Sequence, residues 1–148
     1  MVSEKITNNI EYTVQGIVES LEAKALWLSS GFDQYAPDFD WSEFPDLLKN
    51  SDIIVTARHD ERLVGYSRAV TDFALYCGLV DIMVDADYKR QGIGRELAIR
   101  TRDAAGEKAW LVALSNSSAA DFYKQSGFMK IDEEWSSWIL TPPERPGE

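Results

Sequence analysis

Apolar positions along this chain follow two periods. Alternating or continuous apolar runs predict strands at residues 11–14, 52–58, 62–70, 75–84 and 109–114. Helical spacing appears twice. Ile17, Leu21, Ala25 and Leu28 predict a helix over 17–29 that buries this face and ends at Gly31. Ile93, Leu97, Thr101 and Ala104/Ala105 predict a second helix, entered directly from the apolar run ending at Val84. A third, short helix carries Ala119, Phe122 and Tyr123, with Asn116 as its cap and Gly127 as its stop. Residues 128–131 and 134–140 then complete the sheet as a terminal hairpin. Charged His59-Asp60-Glu61 reads as a hairpin turn, which makes His59 a solvated residue, and residues 70–73 form a second turn.

The 148 residues, 45% apolar and 27% charged, suit one domain with a sizeable core. The domain is expected over 1–140, followed by a loose, proline-rich and charged tail at 141–148. No apolar run approaches the roughly 20 residues needed to cross a bilayer, and the N-terminus lacks the apolar core of a signal peptide. A cytoplasmic location is expected, with no membrane partner. Cys77, the single cysteine, lies in an apolar run and reads as a packing residue. The formal net charge of −10 argues against nucleic acid as the main partner and favours a neutral or cationic one.

Against that acidic background, Lys89, Arg90, Arg95, Arg100 and Arg102 are five of the chain's 15 basic residues. They surround a bend at Gly92 and Gly94 between the strand ending at Val84 and the helix beginning at Ile93. Glycines let the backbone approach a ligand closely, and the N–H groups of a helix's first turn point outward at the positive end of its dipole. Such a bend is an anion site. It is no P-loop, because Gly94 is followed by Arg95-Glu96 and not by Lys-Ser/Thr. Nor is it the dinucleotide fingerprint, whose third glycine would fall where Leu97 stands.

Lys89-Arg90-Gln91-Gly92-Ile93-Gly94 resembles the Gln/Arg-x-x-Gly-x-Gly/Ala signature of the Gcn5-related N-acetyltransferases (GNAT), with Lys89 replacing the usual Gln or Arg. Asn116, Ala119 and Tyr123, followed by Gly127-Phe128, resemble the family's second signature. Both signatures lie within residues 52–140. The resemblance implies an α/β fold of mixed α+β character. Its single domain holds a mostly antiparallel mixed sheet, flanked by helices on both faces, whose parallel central strands (here 75–84 and 109–114) splay apart. It implies acetyl-coenzyme A as cosubstrate, paired through the backbone of Ile82, Met83 and Val84, with its diphosphate on Lys89, Arg90, Gln91, Gly92, Ile93, Gly94 and Arg95. It further implies direct transfer of the acetyl group to a primary amine of a small molecule or peptide. A homodimer is compatible with the resemblance, though no interface is legible.

Within that chemistry Tyr123 stands at the family's general-acid position, able to protonate a departing thiolate. Asn116 serves either as helix cap or as a contact to the cofactor. Asp81 is the only carboxylate in the run 75–84 and is the candidate base, with a water chain or a purely structural hydrogen bond as alternatives. Arg68 and Asp72 either help hold a substrate or form intramolecular ion pairs. The segment 32–44 mixes Phe32, Tyr35, Phe39, Trp41 and Phe44 with Asp33, Asp38, Asp40 and Glu43. Its aromatics either wall an amine site, through cation–π attraction, or cap the core. One histidine and one cysteine disfavour metal catalysis and a Ser/His/Asp triad. A non-catalytic module that binds coenzyme A and docks with a partner is the alternative from another class.

Overall fold

The computed structural model describes residues 9–115 and 117–131. Strands β1 (Ile10–Val14), β2 (Ile53–His59), β3 (Arg62–Thr71), β4 (Tyr76–Val84) and β5 (Trp110–Ala113) form one sheet in chain order. The first three pairings are antiparallel, and β4 with β5 is parallel. Helices α1 (Ser20–Ser30) and α2 (Phe44–Lys49) lie on one face. Helix α3 (Ile93–Ala105) covers the other, and short α4 (Ala120–Gln125) follows β5. The expected domain boundary at 140, the tail and the strand at 134–140 lie outside the described residues.

Side-chain alternation along the strands divides the core in two. Ile53, Val55, Ala57 and Val64 pack with Ile93 and Leu97 of α3. On the opposite face Leu63, Tyr66 and Met83 pack with Leu26, Trp27 and Phe44. Polar groups buried between layers are satisfied: Ser67 Oγ and Thr101 Oγ1 lie 2.8 Å apart, and Thr101 also donates to the Leu97 carbonyl.

Helix α1 differs from the expectation in both start and face. It begins at Ser20, where Glu19 is the N-cap and Glu22 closes a capping box. Ala23, Leu26 and Trp27 are its buried residues, while Leu21 is 86% and Leu28 61% exposed. Apolar residues surround this helix, so periodicity alone selects no face, and the bulk of Trp27 decides the orientation. Arg58 of β2 fixes it there, donating from Nη2 to Glu22 Oε1 at 2.6 Å and from Nη1 to Oε2 at 2.9 Å. Gly31, with φ 84°, ends the helix as expected.

The hairpin between β2 and β3 turns on Asp60 and Glu61 alone, both left-handed at φ 48° and 69°. His59 therefore belongs to the strand and not to a solvated turn, and its Nδ1 lies 2.8 Å from the Tyr88 hydroxyl. Cys77 is buried, as expected.

Two irregularities shape the functional end of the sheet. Between β3 and β4 the register steps from Arg68↔Asp81 to Ala69↔Leu79, which leaves Val80 as an unpaired bulge. Pairing of β4 with β5 stops at the same level, with Leu79↔Ala113 as its last pair. From Val80 to Val84, β4 thus runs on past β5 among the described residues, and the parallel strands part there. Helix α4 meets the start of α3 at this end: a Cβ added to Gly94 would come within 2.7 Å of Phe122 Cε2.

Two outcomes test this framework. Replacing Glu22 with Gln is expected to lower stability by about 1–2 kcal/mol at neutral pH. Arg58 holds the Glu22 carboxyl below the usual carboxylate range, so this contribution is present above that range and fades as pH falls through it. Thermal unfolding of both proteins, followed from neutral to acid pH, should show their midpoints converging at the acid end. Gly94→Ala should cost about 1–2 kcal/mol through overpacking against the Phe122 ring. A double-mutant cycle with Phe122→Leu should recover part of it; strict additivity would deny the contact.

Candidate active site

The bend from β4 into α3 is built by Asp85. Its side chain is 4% exposed, and its Oδ1 accepts from the Asp87 N–H at 2.9 Å, closing a 3₁₀ turn over Ala86–Tyr88. Its Oδ2 accepts from Arg62 Nη2 at 2.7 Å and from Ser29 Oγ at 3.0 Å. Arg62 lies over the Tyr88 ring, whose hydroxyl meets His59. One carboxylate therefore joins the bend to β3 and to the end of α1. Sequence reasoning missed this hub. An Asp followed two residues later by a second polar turn residue is an Asx-turn signal, but nothing local points to Ser29 or Arg62.

After that turn the backbone takes the left-handed conformation at Arg90 (φ 63°) and again at Gly92 (φ 83°). For Arg90 this is a strained state held by its surroundings. Gly92 is the N-cap of α3 and no side chain caps the helix; the Glu96 N–H makes the first bond, to the Gly92 carbonyl. The N–H groups of Ile93, Gly94 and Arg95 therefore point out of the helix end. A Cβ at Gly92 would meet nothing within 4 Å, so open space lies over the bend. The Gln91 Oε1 atom is buried there without a partner. Half a turn of that amide would put its NH₂ group in the same place, a donor for a phosphate oxygen.

The basic residues near the bend divide by what they hold. Arg90 and Arg95 are exposed and have no ion-pair partner among the described residues. Arg100 bonds to Glu96 and covers the Tyr12 ring, and Arg102 donates to the Ala109 and Gly106 carbonyls. Lys89 Nζ donates to the Ser30 carbonyl at 2.7 Å.

Ile82, Met83 and Val84 lie on the stretch of β4 beyond its last pair with β5. Asp81 shares that stretch, buried, with its Oδ2 2.5 Å from Arg68 Nε; Arg68 also donates to Ser51 Oγ. Of the two uses weighed for Arg68, the structure has the intramolecular ion pair. Asp72 caps a turn in place of an ion pair: its Oδ1 accepts the N–H groups of Ala74, Leu75 and Tyr76, which also holds its carboxyl below the usual range. Tyr123 is half-buried between Phe122 and Phe128, and burial pushes its phenol above the ordinary value. Asn116 lies outside the described residues.

In the segment 32–44, Phe32, Phe39, Trp41 and Phe44 pack on the core, while Tyr35 is exposed. Trp27 contacts the rings of Phe32, Phe39 and Trp41, and its Nε1 donates to the Tyr66 hydroxyl at 2.9 Å. Burial also pushes the Tyr66 phenol upward. At the rim of this cluster a cavity of about 270 Å³ is lined by Trp27, Phe39, Trp41, Asp33 and Lys24. A larger apolar cavity of about 830 Å³, lined by Tyr76, Ile99, Trp110 and Phe128, lies at the opposite end of the β4–β5 pair. Among the described residues no helix is long and apolar enough to cross a membrane, and no group of three or more His, Cys, Asp or Glu could hold a metal ion.

Comparison with known proteins places this arrangement. A probable acetyltransferase from methicillin-resistant Staphylococcus aureus superposes with a TM-score of 0.75 at 20% identity, covering 90% of this chain and 99% of that one. An aminoglycoside acetyltransferase from an uncultured soil metagenomic sample, in complex with sisomicin, gives 0.66 at 17% identity, covering 93% and 100%. Among curated relatives, a chloroplastic GCN5-related N-acetyltransferase of Arabidopsis thaliana is 30% identical over 48% of this chain, and a histone acetyltransferase of Glycine max is 30% identical over 59%. The chain spans only 28% and 43% of the length of those two relatives. The family model described as Acetyltransferase (GNAT) family matches residues 18–128, well over half of the chain. By that match, on a fold shared with solved acetyltransferases, this chain belongs to the GNAT acetyltransferase family.

Proposed function

We propose that this protein is an N-acetyltransferase that moves the acetyl group of acetyl-coenzyme A to a primary amine within a ternary complex. The observation that carries this reading is the uncapped start of α3, with its left-handed glycine and outward N–H groups, at the end of the sheet where β4 outruns β5. A diphosphate suits the N–H groups of Ile93, Gly94 and Arg95, the Gln91 amide and the side chains of Arg90 and Arg95. The pantetheine arm suits the β4 backbone at Ile82, Met83 and Val84, as an added strand would. Acetyl-coenzyme A supplies the activated thioester.

The chain's own groups divide the remaining work. The bulge leaves Val80 unpaired with β3, and a backbone donor on this stretch is suited to polarising the thioester carbonyl. The Tyr123 hydroxyl, kept protonated by burial, donates its proton to the departing thiolate. The attacking amine loses a proton in the same conversion. Asp81 is one acceptor for it, but its carboxylate already serves Arg68, which favours relay through water.

An amine-bearing acceptor fits the chain's charge of −10 and the aromatic cavity beside Asp33. Lys24, 6.0 Å from the Trp41 ring centroid, stands at the edge of that cavity. One structural neighbour is an aminoglycoside acetyltransferase holding sisomicin, in keeping with an amine acceptor here.

Calorimetric titration with acetyl-coenzyme A should show one site per chain; no binding at about millimolar cofactor, far weaker than ordinary substrate affinity, would remove the proposal. Release of free thiol should follow addition of an acceptor from a panel of polyamines, aminoglycosides, amino acids and peptides. Tyr123→Phe should bind the cofactor normally and lose turnover by about ten- to a thousandfold. Binding without thiol release from any acceptor would leave a coenzyme A-binding module in place of an enzyme.

A further inference from the structure

Helix α1 ends in a way its own sequence does not support. Its last turn contains no basic residue, although a cation is favourable beside the carbonyl groups at a helix C-terminus. The cation comes from the bend: Lys89 Nζ donates to the Ser30 carbonyl at 2.7 Å across 59 residues of sequence. One residue earlier, Ser29 Oγ donates to Asp85 Oδ2, the buried carboxylate that closes the turn before the bend. Arg62 holds the same oxygen from β3. Two adjacent residues of α1 are thus fastened to the two ends of the segment from Asp85 to Lys89.

The wall of the aromatic cavity begins where this fastening ends. Ser30 Oγ accepts the Phe32 N–H at 3.2 Å, Gly31 turns the chain, and Phe32, Phe39 and Trp41 then close on Trp27. Phosphate bend and acceptor wall therefore share one support, the last turn of α1.

We propose that Lys89 and Asp85 are positioning residues that fasten the end of α1 to the phosphate bend, so that ligand on the bend orders the acceptor wall at residues 31–44. Lys89, at the motif position where Gln or Arg is usual, holds a helix end and does not ligate the diphosphate. The coupling rests on the coenzyme A reading above. Its physical basis is linkage: a ligand that favours one arrangement of the bend favours the arrangement of α1 fastened to it, and the acceptor favours cofactor binding in return. The Asp85 carboxylate is buried and accepts three hydrogen bonds, while the Lys89 contact is exposed and is the adjustable half of the clasp.

Amide hydrogen exchange on the full chain, with and without saturating coenzyme A, reads the bend and the wall separately. In the wild type, coenzyme A should slow exchange in residues 90–96 and, by about tenfold, in residues 31–44. Lys89→Met, compared at saturation, should keep the slowing at 90–96 and lose it at 31–44, and Lys89→Arg, which restores a long donor, should recover it. The ionic-strength dependence of coenzyme A affinity should be the same for Lys89→Met as for the wild type. Asp85→Asn, which also loosens the turn that builds the bend, should lose the slowing at 31–44 and weaken it at 90–96. Full slowing at 31–44 in saturated Lys89→Met, or a flatter salt dependence, would overturn the proposal by making Lys89 an ordinary phosphate ligand. Absence of slowing at 90–96 in the wild type would overturn the coenzyme A reading itself, a result distinguishable from failure of the clasp.

Discussion

A helix that begins without a cap must leave the N–H groups of its first turn to water or to a ligand. Helix α3 begins that way, after a glycine in the left-handed conformation, and the open space over Gly92 leaves those groups accessible. Holding this end open has structural requirements. Arg90 is kept in a conformation that side-chain-bearing residues rarely adopt, and the turn before it is locked by a buried carboxylate serving three partners. Phe122 then closes against Gly94 from the other side. The arrangement is rigid behind the helix end and open in front of it, as electrostatic recognition of an anion requires.

The sheet contributes a second constraint. A parallel pair that stayed in register to its end would leave no room between β4 and β5. The bulge at Val80 and the last pair at Leu79↔Ala113 fall at one level, so the strands part where the helix end is exposed. Backbone geometry thus creates both halves of the candidate site.

Features encoded over a few consecutive residues were legible in the sequence. The strand–bend–helix unit around Gly92 and Gly94, the hairpin of β2 and β3 and the stop of α1 at Gly31 all follow from local glycine or turn chemistry. Features decided by tertiary packing were not. Periodicity points to the face of Ile17, Leu21, Ala25 and Leu28, but a helix apolar on all sides has no preferred face until Trp27 finds Tyr66. His59 reads as part of a turn in sequence, but the two left-handed residues after it shorten that turn to two positions and leave it in the strand. The cluster of five cations looked uniform in sequence, yet Arg100, Arg102 and Lys89 each serve a contact of their own, which leaves Arg90 and Arg95 facing outward. Such pairings join positions far apart in the chain, and a single sequence carries no record of them.

The account depends on the backbone of residues 92–95 receiving a diphosphate. Backbone amide chemical shifts measured during titration with coenzyme A address that directly. The expected result is large, saturable shifts at Gly92, Ile93, Gly94 and Arg95, joined by shifts along Val80 to Val84. Saturable binding that moves amides only elsewhere, for example around Tyr76 and Trp110 where the β4–β5 pairing starts, would contradict it.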